Sequence, residues 1–179
     1  QSYANLRANG LSIISYLGIT SDERPITTLP MQYTYGFSII NSHLLAGSTL
    51  LLTTRTVVEK GFWDFFREQQ ATSFGGVPYT FEMLKRLRFP RMQLPSLKTI
   101  TQAGGKLSVE LSREFAQYAA ERGIRFFVMY GQTEATARMS YLPCEHALSK
   151  CGSMGIAIPG GEFYLVDDNG SVIQESGRE

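Results

Sequence analysis

The residues best suited to chemistry form one short run, Tyr130-Gly131-Gln132-Thr133-Glu134. Tyr130 offers a flat apolar face on which a base can stack, and Gly131 lets the backbone approach a ligand closely. Thr133 offers a hydroxyl and a backbone N–H to a phosphate oxygen. Glu134 offers the hard carboxylate that suits Mg²⁺ held against phosphates. These residue types together favour a site for a nucleotide and its magnesium ion.

A second glycine-rich run, Gln102-Ala103-Gly104-Gly105, lies one strand–helix unit earlier. If both runs end neighbouring parallel strands, they form two walls of one cleft, and ligands bind at that edge of open α/β sheets. The alternative is that both runs are ordinary strand-to-helix turns that need glycine for a positive φ. The residues alone leave these two interpretations open.

The surrounding sequence predicts strands that alternate with helices. The predicted strands are residues 49–54, 72–78, 97–102 and 124–129. The predicted helices are residues 36–45, 62–68, 79–88 and 108–122. Ser108 is a suitable N-cap for the last helix, and Gly123 is a suitable stop. Because strands alternate with helices, we expect a mostly parallel sheet that is covered on both faces.

The last part of the chain predicts a different arrangement. Residues 163–167 and 171–173 are β-type runs, and Asp168-Asn169-Gly170 lies between them. Asn-Gly between two such runs is a strong signal for a β-hairpin. The predicted fold class is therefore α/β, with a mostly parallel sheet flanked by helices and an antiparallel hairpin near the C-terminus.

Composition limits the class of protein. The chain has 179 residues, which is typical of one domain, and its 43% of apolar residues excludes a disordered chain. A net charge of +1 gives no bulk attraction for nucleic acid, so no nucleic-acid partner is expected. The two cysteines, Cys144 and Cys151, exclude a disulfide scaffold and a four-thiolate zinc site. No stretch approaches the ~18 apolar residues of a membrane span, and reduced thiols favour a cytoplasmic location.

Several common catalytic signatures are missing from the sequence. It has no G-x-G-x-x-G dinucleotide fingerprint, no G-x-x-x-x-G-K-[ST] loop and no H-E-x-x-H zinc motif. The run Cys151-Gly152-Ser153-Met154-Gly155 resembles a nucleophile elbow, but a cysteine replaces its leading glycine. His43 falls on a predicted helix face. His146 lies in a loop with Cys144 and Cys151, where solvated side chains are a simpler interpretation than a metal site.

Four segments of the sequence resemble the motifs of one enzyme family. Tyr130-Gly131-Gln132-Thr133-Glu134 resembles its Y-G-x-T-E signature, and Ala103-Gly104-Gly105-Lys106-Leu107-Ser108 resembles its glycine pair before a helix. Leu29-Pro30-Met31-Gln32-Tyr33-Thr34-Tyr35-Gly36 is similar to its aromatic stretch at the acyl pocket. Residues 150–160 resemble its K-x-G-[ST]-x-G-x-x-x-P-G run. Because the four segments occur in the family's order, the chain resembles the adenylate-forming (AMP-binding) enzymes of the acyl-CoA synthetase and ligase type.

This resemblance implies a two-step reaction. A carboxylate attacks the α-phosphate of ATP, giving an acyl-adenylate and pyrophosphate, and a thiol then displaces AMP. The resemblance implies ATP and Mg²⁺ as ligands, a small-molecule carboxylic acid as substrate, and CoA as the thiol co-substrate. A carrier protein is the alternative acceptor. The resemblance does not identify the acid.

The resemblance also assigns roles to individual residues. Thr133 and Glu134 are the predicted catalytic residues, with Thr133 at the α-phosphate and Glu134 as the Mg²⁺ ligand. The predicted nucleotide-binding residues are Ala103, Gly104, Gly105, Tyr130, Gly131, Gln132 and Thr133. The predicted acyl-pocket residues are Tyr33, Gly36, Val77, Pro78, Ala135 and Gly155. Tyr33 stands where many relatives carry a His, and Val77 and Pro78 suit a core and a turn equally well.

The family contains parts that this sequence does not include. Its phosphate loop would precede Gln1, and its ribose-binding Asp, hinge and small C-terminal domain would follow Glu179. We therefore expect a central fragment of the large N-terminal domain that is inactive alone. Residues 1–160 would form an α/β nucleotide- and acyl-binding subdomain, and residues 161–179 would begin an antiparallel β segment. The alternatives are a non-catalytic remnant that binds a nucleotide or an acyl group, and an adenylation domain that loads a carrier protein.

Overall fold

A computed structural model describes residues 1–174 of the chain. Its helices are α1 (Tyr3–Leu17), α2 (Thr34–Leu45), α3 (Lys60–Glu68), α4 (Pro78–Arg86) and α5 (Val109–Glu121). Its strands are β1 (Ser73–Gly76), β2 (Thr99–Gln102), β3 (Arg125–Tyr130), β4 (Ser140–Leu142) and β5 (Ile156–Ala157). Short 3₁₀ segments occur at Phe89–Arg91, Thr133–Ala135 and Cys144–His146.

The strands form one mixed sheet in the order β1-β2-β3-β4-β5. The first three are parallel, with Ser73 opposite Thr99 and Thr99 opposite Arg125. The last two are antiparallel, with Tyr130 opposite Ser140 and Ser140 opposite Ala157. The carboxyl ends of β2 and β3 therefore meet at one edge of the sheet. The α/β fold class predicted from the sequence is confirmed.

Helices cover both faces of the sheet. Successive side chains of β3 point to opposite faces, and each face packs against its own group of helices. Phe126 packs into a large core that α3, α4 and α5 share, together with Phe62 and Phe115. Phe127 points to the opposite face and packs into a second core with Ile13 of α1 and Ile39 of α2. This alternation is the expected behaviour of a strand whose neighbours pair on both sides. The predicted two-sided cover is confirmed.

Local capping explains where two helices begin. The Ser108 side chain accepts a hydrogen bond from the backbone N–H of Leu111 at 3.2 Å, so α5 starts at the predicted N-cap. Ser2 caps α1 in the same way and exchanges hydrogen bonds with Asn5. Gly18 ends α1 with φ of +61°. Within residues 1–174, no helix is long and apolar enough to cross a membrane.

One predicted strand was wrong and two strands were not predicted. Residues 49–54 contribute only Leu51, which forms an isolated parallel bridge with Ile26. The backbone pairing stops after Leu51, because the N–H of Thr53 donates to the Thr27 hydroxyl at 3.0 Å instead of to a backbone carbonyl. Strands β4 and β5 were not predicted. The hairpin near the C-terminus forms one antiparallel bridge, Val166 to Val172, and residues 175–179 of that predicted segment lie outside the described part.

Candidate nucleotide and acyl site

The two glycine-rich runs lie in one cleft at the carboxyl ends of β2 and β3. Its volume is about 460 Å³, within the usual range for small-molecule sites. Gly104 and Gly105 line one wall, and Tyr130 and Gly131 line another. The loop Gly152-Ser153-Met154 closes a third side. The cleft interpretation of the two runs therefore agrees with the geometry.

Gln102 holds the shape of the first wall, a role that the sequence reasoning missed. Its side chain is buried, and its amide Nε2 donates to the backbone oxygens of Gly105 at 2.8 Å and Ala103 at 3.2 Å. These bonds fix the glycine turn without any ligand. Ala103 itself is buried, and its N–H donates to the Gly76 oxygen at 3.2 Å. A polar residue at the last position of a buried strand is the signal that could have identified Gln102.

The second wall depends on a close backbone approach at Gly131. A Cβ atom placed there would overlap the carbonyl oxygen of Ala137. Thr136 and Ala137 both adopt left-handed backbone conformations, with φ of +64° and +75°. Such conformations are uncommon for residues with a side chain and cost energy. They turn the chain back, so that the N–H of Met139 donates to the Tyr130 oxygen at 2.9 Å and β4 can begin.

Thr133 and Glu134 lie on the 3₁₀ segment that leaves the cleft. The hydroxyl oxygens of Thr133 and Thr34 are 2.9 Å apart, which ties the segment to the start of α2. The side-chain amide of Gln1 donates to the Thr133 carbonyl at 3.1 Å. Glu134 is exposed, and its carboxylate makes no ion pair or hydrogen bond with any other described residue. Gln132 is also exposed and precedes the segment in extended conformation.

Three predicted acyl-pocket residues gather against the glycine pair. The Tyr33 hydroxyl and the Val77 side chain occupy the space where Gly104 would carry a Cβ, with Val77 Cγ1 3.0 Å from that position. Pro78 Cγ is 3.1 Å from the corresponding position at Gly105. Glycine is therefore required on this wall because side chains at the N-terminal ends of α2 and α4 fill the space.

The other three predicted acyl-pocket residues have different neighbours. Gly36 approaches the Pro30 carbonyl oxygen closely, so it lets α2 start against that loop. Ala135 lines a groove together with Pro159 and Phe163. Gly155 has φ of +81° and lies against the Tyr141 backbone. The structure thus does not bring these three residues into the cluster of Tyr33, Val77 and Pro78.

Burial controls the chemistry of the tyrosine beneath this cluster. Tyr35 packs edge-on to Tyr33, with ring centroids 6.4 Å apart. Its hydroxyl oxygen lies 2.8 Å from the Thr101 hydroxyl on β2. Burial raises the pKa of Tyr35 to about 12, so the phenol stays neutral near neutral pH. The floor of the predicted acyl pocket is therefore formed by neutral hydroxyl groups and aromatic rings.

The side chains near the cleft suit a Mg²⁺ ion shared with phosphate groups better than a metal ion coordinated by protein side chains alone. Among residues 1–174, no cluster of three or more His, Cys, Asp or Glu side chains is placed to hold an ion. Glu134 offers one exposed carboxylate, three residues beyond Gly131 of the cleft wall. Mg²⁺ at phosphate sites takes one or two carboxylates and completes its shell with phosphate oxygens and water. The residues present fit that kind of ion.

Sequence comparison identifies relatives along the whole chain. The sequence profile described as AMP-binding enzyme matches residues 1–178. An indoleacetate–CoA ligase of Aromatoleum aromaticum is 29% identical over 171 residues, which is 94% of this chain and 32% of that protein. A 2-succinylbenzoate–CoA ligase of Bacillus pumilus is 26% identical over 168 residues, 93% of this chain and 33% of that protein. The chain spans about a third of the length of these curated relatives.

Solved structures share the fold. An o-succinylbenzoate coenzyme A synthetase of Bacillus subtilis, in complex with ATP and a magnesium ion, superposes with a TM-score of 0.83 and 24% identity. That match covers 98% of this chain and 35% of the synthetase. A fatty acyl CoA synthetase of Mycobacterium tuberculosis gives a TM-score of 0.84 at 20% identity, covering 96% of this chain and 34% of that one. At these identities the likeness establishes the fold.

Proposed function

The chain belongs to the AMP-binding enzyme family, and from that premise we propose that it forms the nucleotide- and acid-binding core of an AMP-forming acid–thiol ligase. In the first step, a carboxylate oxygen of the acid bonds to the α-phosphorus of ATP, and the bond to pyrophosphate breaks. In the second step, the sulfur of CoA bonds to the acyl carbon, and AMP leaves. We propose CoA as the acceptor because the similar curated proteins are named as CoA ligases and synthases.

The observation that carries this proposal is the cleft between the ends of β2 and β3. It places four glycines and an aromatic ring around a space of about 460 Å³. A nucleotide needs such a site, because exposed backbone N–H groups can contact phosphate and a ring can stack on the base. Tyr130 is 40% exposed and therefore free to present its ring. We propose Tyr130, Gly131, Gln132 and the run Ala103-Gly104-Gly105 as the nucleotide-binding residues.

Thr133 and Glu134 are the residues we propose for catalysis. Negative charge on the transferring phosphoryl group must be stabilised where it develops, by donors and cations already in place. Thr133 supplies a hydroxyl whose position is set by Thr34. Glu134 would hold Mg²⁺, which supplies positive charge next to the phosphates. The exposure of Glu134 supports this role, since Mg²⁺ could bind its carboxylate without displacing a protein partner.

The acid would bind on the side of the cleft that faces α2. We propose Tyr33, Val77 and Pro78 as its contacts, supported by their packing against Gly104 and Gly105. The family resemblance adds Gly36, Ala135 and Gly155, which would act through the backbone they shape. We further propose that residues 1–160 form the binding subdomain and that residues from 161 begin an antiparallel β segment. A cytoplasmic location is proposed as well, supported by Cys144 and Cys151 as free thiols.

Pyrophosphate release tests the proposed function directly. The native full-length gene product that contains this chain would be assayed with ATP, Mg²⁺ and CoA against a panel of carboxylic acids. The panel would include indoleacetate, 2-succinylbenzoate and ferulate, the acids for which the similar proteins are named. We expect acid-dependent pyrophosphate and an acyl-CoA product. Absence of pyrophosphate with every acid would refute the proposal.

Substitution of Glu134 separates catalysis from folding. Glu134→Ala in the same protein should lower the adenylation rate at least about a hundredfold, because one charge-stabilising group is lost. Its unfolding midpoint in urea should stay unchanged, since the carboxylate is exposed. Glu82→Ala removes an exposed carboxylate on α4 and serves as the matched control. Equal loss of activity in both variants would show that Glu134 has no special role in catalysis. A shifted midpoint for Glu134→Ala would show that Glu134 stabilises the fold instead.

A further inference from the structure

Arg138 is a fully buried cation that the proposed reaction does not use. Its side chain is 2% exposed, although it lies only four residues beyond Glu134. Its Nε donates to the Ser38 hydroxyl at 3.1 Å, and one terminal nitrogen donates to the Tyr16 hydroxyl at 3.2 Å. The guanidinium carbon lies 5.1 Å from the centre of the Tyr35 ring. All of these partners are neutral, so none of them balances the charge.

The charges around Arg138 do not cancel among the described residues. Arg138 lines a small interior cavity together with Glu23, His43 and Arg125. Glu23 already accepts a hydrogen bond from Thr72 and lies 3.7 Å from Arg125. His43 is neutral at physiological pH, since burial lowers its pKa to about 4. One carboxylate therefore lies near two guanidinium groups, of which Arg125 is 35% exposed to solvent, and no carboxylate of the described residues forms an ion pair with Arg138.

Tyrosinate does not supply the missing negative charge. Burial raises the pKa of Tyr16, and it raises the pKa of Tyr35 to about 12. Both phenols therefore donate or accept hydrogen bonds as neutral groups. A buried cation without a counter-charge is costly, and an anion that enters its surroundings recovers that cost.

We propose that Arg138 determines specificity by binding a second anionic group of the acid, so that the preferred substrate is a dicarboxylic acid. This inference rests on the proposed function, because it names the substrate class of the same site. One carboxylate would react at the cleft, and the other would lie next to the guanidinium. Arginine suits this task because its planar group donates to both oxygens of a carboxylate.

The position of the cavity agrees with this assignment. Gly75 and Thr101 line it, and Thr101 also holds the Tyr35 hydroxyl beneath the predicted acyl pocket. The Ser73 hydroxyl lines the same cavity, is buried, and finds no hydrogen-bond partner among the described residues. That hydroxyl is available to donate to an incoming oxygen.

The acid must displace aromatic side chains to reach Arg138. The interior cavity holds about 20 Å³, enough for one water-sized group such as a single carboxylate oxygen. The Tyr33 hydroxyl fills the space at Gly104, and the Tyr35 hydroxyl lies against Gly75. An acid that passes from the cleft towards Arg138 therefore turns at least one of these rings aside. The remaining oxygen of the distal carboxylate then occupies the vacated room.

Matched pairs of acids test the proposal. The native full-length gene product would be assayed for pyrophosphate release with adipate against hexanoate, and with 3-(2-carboxyphenyl)propanoate against 3-phenylpropanoate. In wild type we expect a higher kcat/KM for the diacid in at least one pair. Arg138→Met should lower kcat/KM for that diacid roughly ten- to a hundredfold, the usual effect of losing a charged hydrogen bond. The monoacid should lose far less, and Arg138→Lys should restore part of the preference.

Controls separate this inference from the proposed function. Arg113→Met removes an exposed arginine of α5 and should leave the diacid-to-monoacid ratio unchanged. Calorimetric titration of each acid into wild type and Arg138→Lys measures binding without turnover, and it still decides the question if Arg138→Met fails to fold. Pyrophosphate release that favours monoacids in wild type would overturn the role of Arg138 and keep the ligase. Arg138-dependent binding of the diacid without any pyrophosphate release would support the anion site and refute the ligase.

Discussion

Gly155 and Gly160 share a backbone conformation but differ in their surroundings. Their φ values are +81° and +82°. A Cβ at Gly155 would overlap the Tyr141 carbonyl, whereas a Cβ at Gly160 meets nothing within 4 Å. The pair therefore separates the cost of a left-handed backbone from the cost of a collision. Gly155 matters to the site because Met154, its neighbour, lines the cleft.

We predict that Gly155→Ala destabilises the protein much more than Gly160→Ala. The left-handed conformation alone should cost Gly160→Ala about 1 kcal/mol in free energy of unfolding. Gly155→Ala must also displace backbone, which should raise the total to about 3 kcal/mol or more. Urea unfolding of the native full-length protein, followed by circular dichroism, measures both. Similar midpoints for the two variants would show that the loop moves without cost.

At the residue scale, the sequence predicted residues that line the cleft better than the buried residues around it. Gly104, Gly105, Tyr130 and Gly131 line one cleft because each run ends a recognisable strand, whereas the other predicted nucleotide-site residues do not line it: Ala103, Gln132, Thr133 and Glu134. Arg138 was not predicted as an interior residue. Its burial depends on the left-handed turn at Thr136 and Ala137. That turn contains no glycine, so the sequence gives no sign of its positive φ angles. The roles assigned to Thr133 and Glu134 stay predictions until activity is measured.

At the element scale, one aromatic ring joins three parts of the fold. Phe89, in the 3₁₀ segment after α4, packs against Trp63 of α3, with ring centroids 5.7 Å apart. It also packs against Phe74 of β1 at 5.9 Å and Tyr118 of α5 at 5.0 Å. The ring is completely buried. Its removal therefore weakens contacts between a strand and two helices at once.

We predict that Phe89→Ala lowers the free energy of unfolding by about 3–5 kcal/mol, the usual cost of removing a large buried ring. Tyr79→Ala is the control, since Tyr79 is 66% exposed on α4 and its loss should cost little. Thermal and urea unfolding of the native full-length protein would report both changes. A loss below about 1 kcal/mol for Phe89→Ala would mean that the core repacks around the cavity.

Element types followed from the sequence where patterns were long. The helices α3, α4 and α5 and the strands β1, β2 and β3 lie where apolar spacing predicted them. Strands β4 and β5 span only three and two residues, too few for a period of two to be visible. Residues 49–54 failed for a different reason, because their backbone hydrogen bonds to residues 23–27 end at Leu51 and leave a single bridge, Leu51 to Ile26. Whether residues 49–54 form a strand depends on their pairing with a neighbouring segment, and the local sequence does not encode that pairing.

At the scale of the whole molecule, His43 links stability to pH. The ring is buried on α2, and its Nδ1 lies 2.8 Å from the Ile39 carbonyl oxygen. The pKa falls from 6.5 to about 4, mainly because of burial and in part because of nearby Arg138, against opposing effects of Ile39 and Glu23. Between these two pH values the His43 ring is protonated in the unfolded chain and neutral in the folded protein. Stability is therefore complete above about pH 6.5 and falls as the pH drops towards 4.

We predict a loss of about 3 kcal/mol in the free energy of unfolding from this histidine between pH 7 and pH 4. His43→Gln should remove that part of the pH dependence. His146→Gln changes the exposed histidine and should leave it intact. Urea unfolding of the native full-length protein at pH 7, 6, 5 and 4 measures the difference. Parallel stability curves for wild type and His43→Gln would contradict the prediction.

The order of the strands bears on how the molecule is assembled during synthesis. From β1 to β5, each strand lies next to the strand made immediately before it. A newly made strand therefore finds its partner already present, and the loop that must close is short. The sheet can grow one strand at a time as the chain leaves the ribosome, without waiting for distant segments. The cleft is consequently completed only when the loop Gly152-Ser153-Met154 has been made, after β4 and after the core beneath it has begun to form.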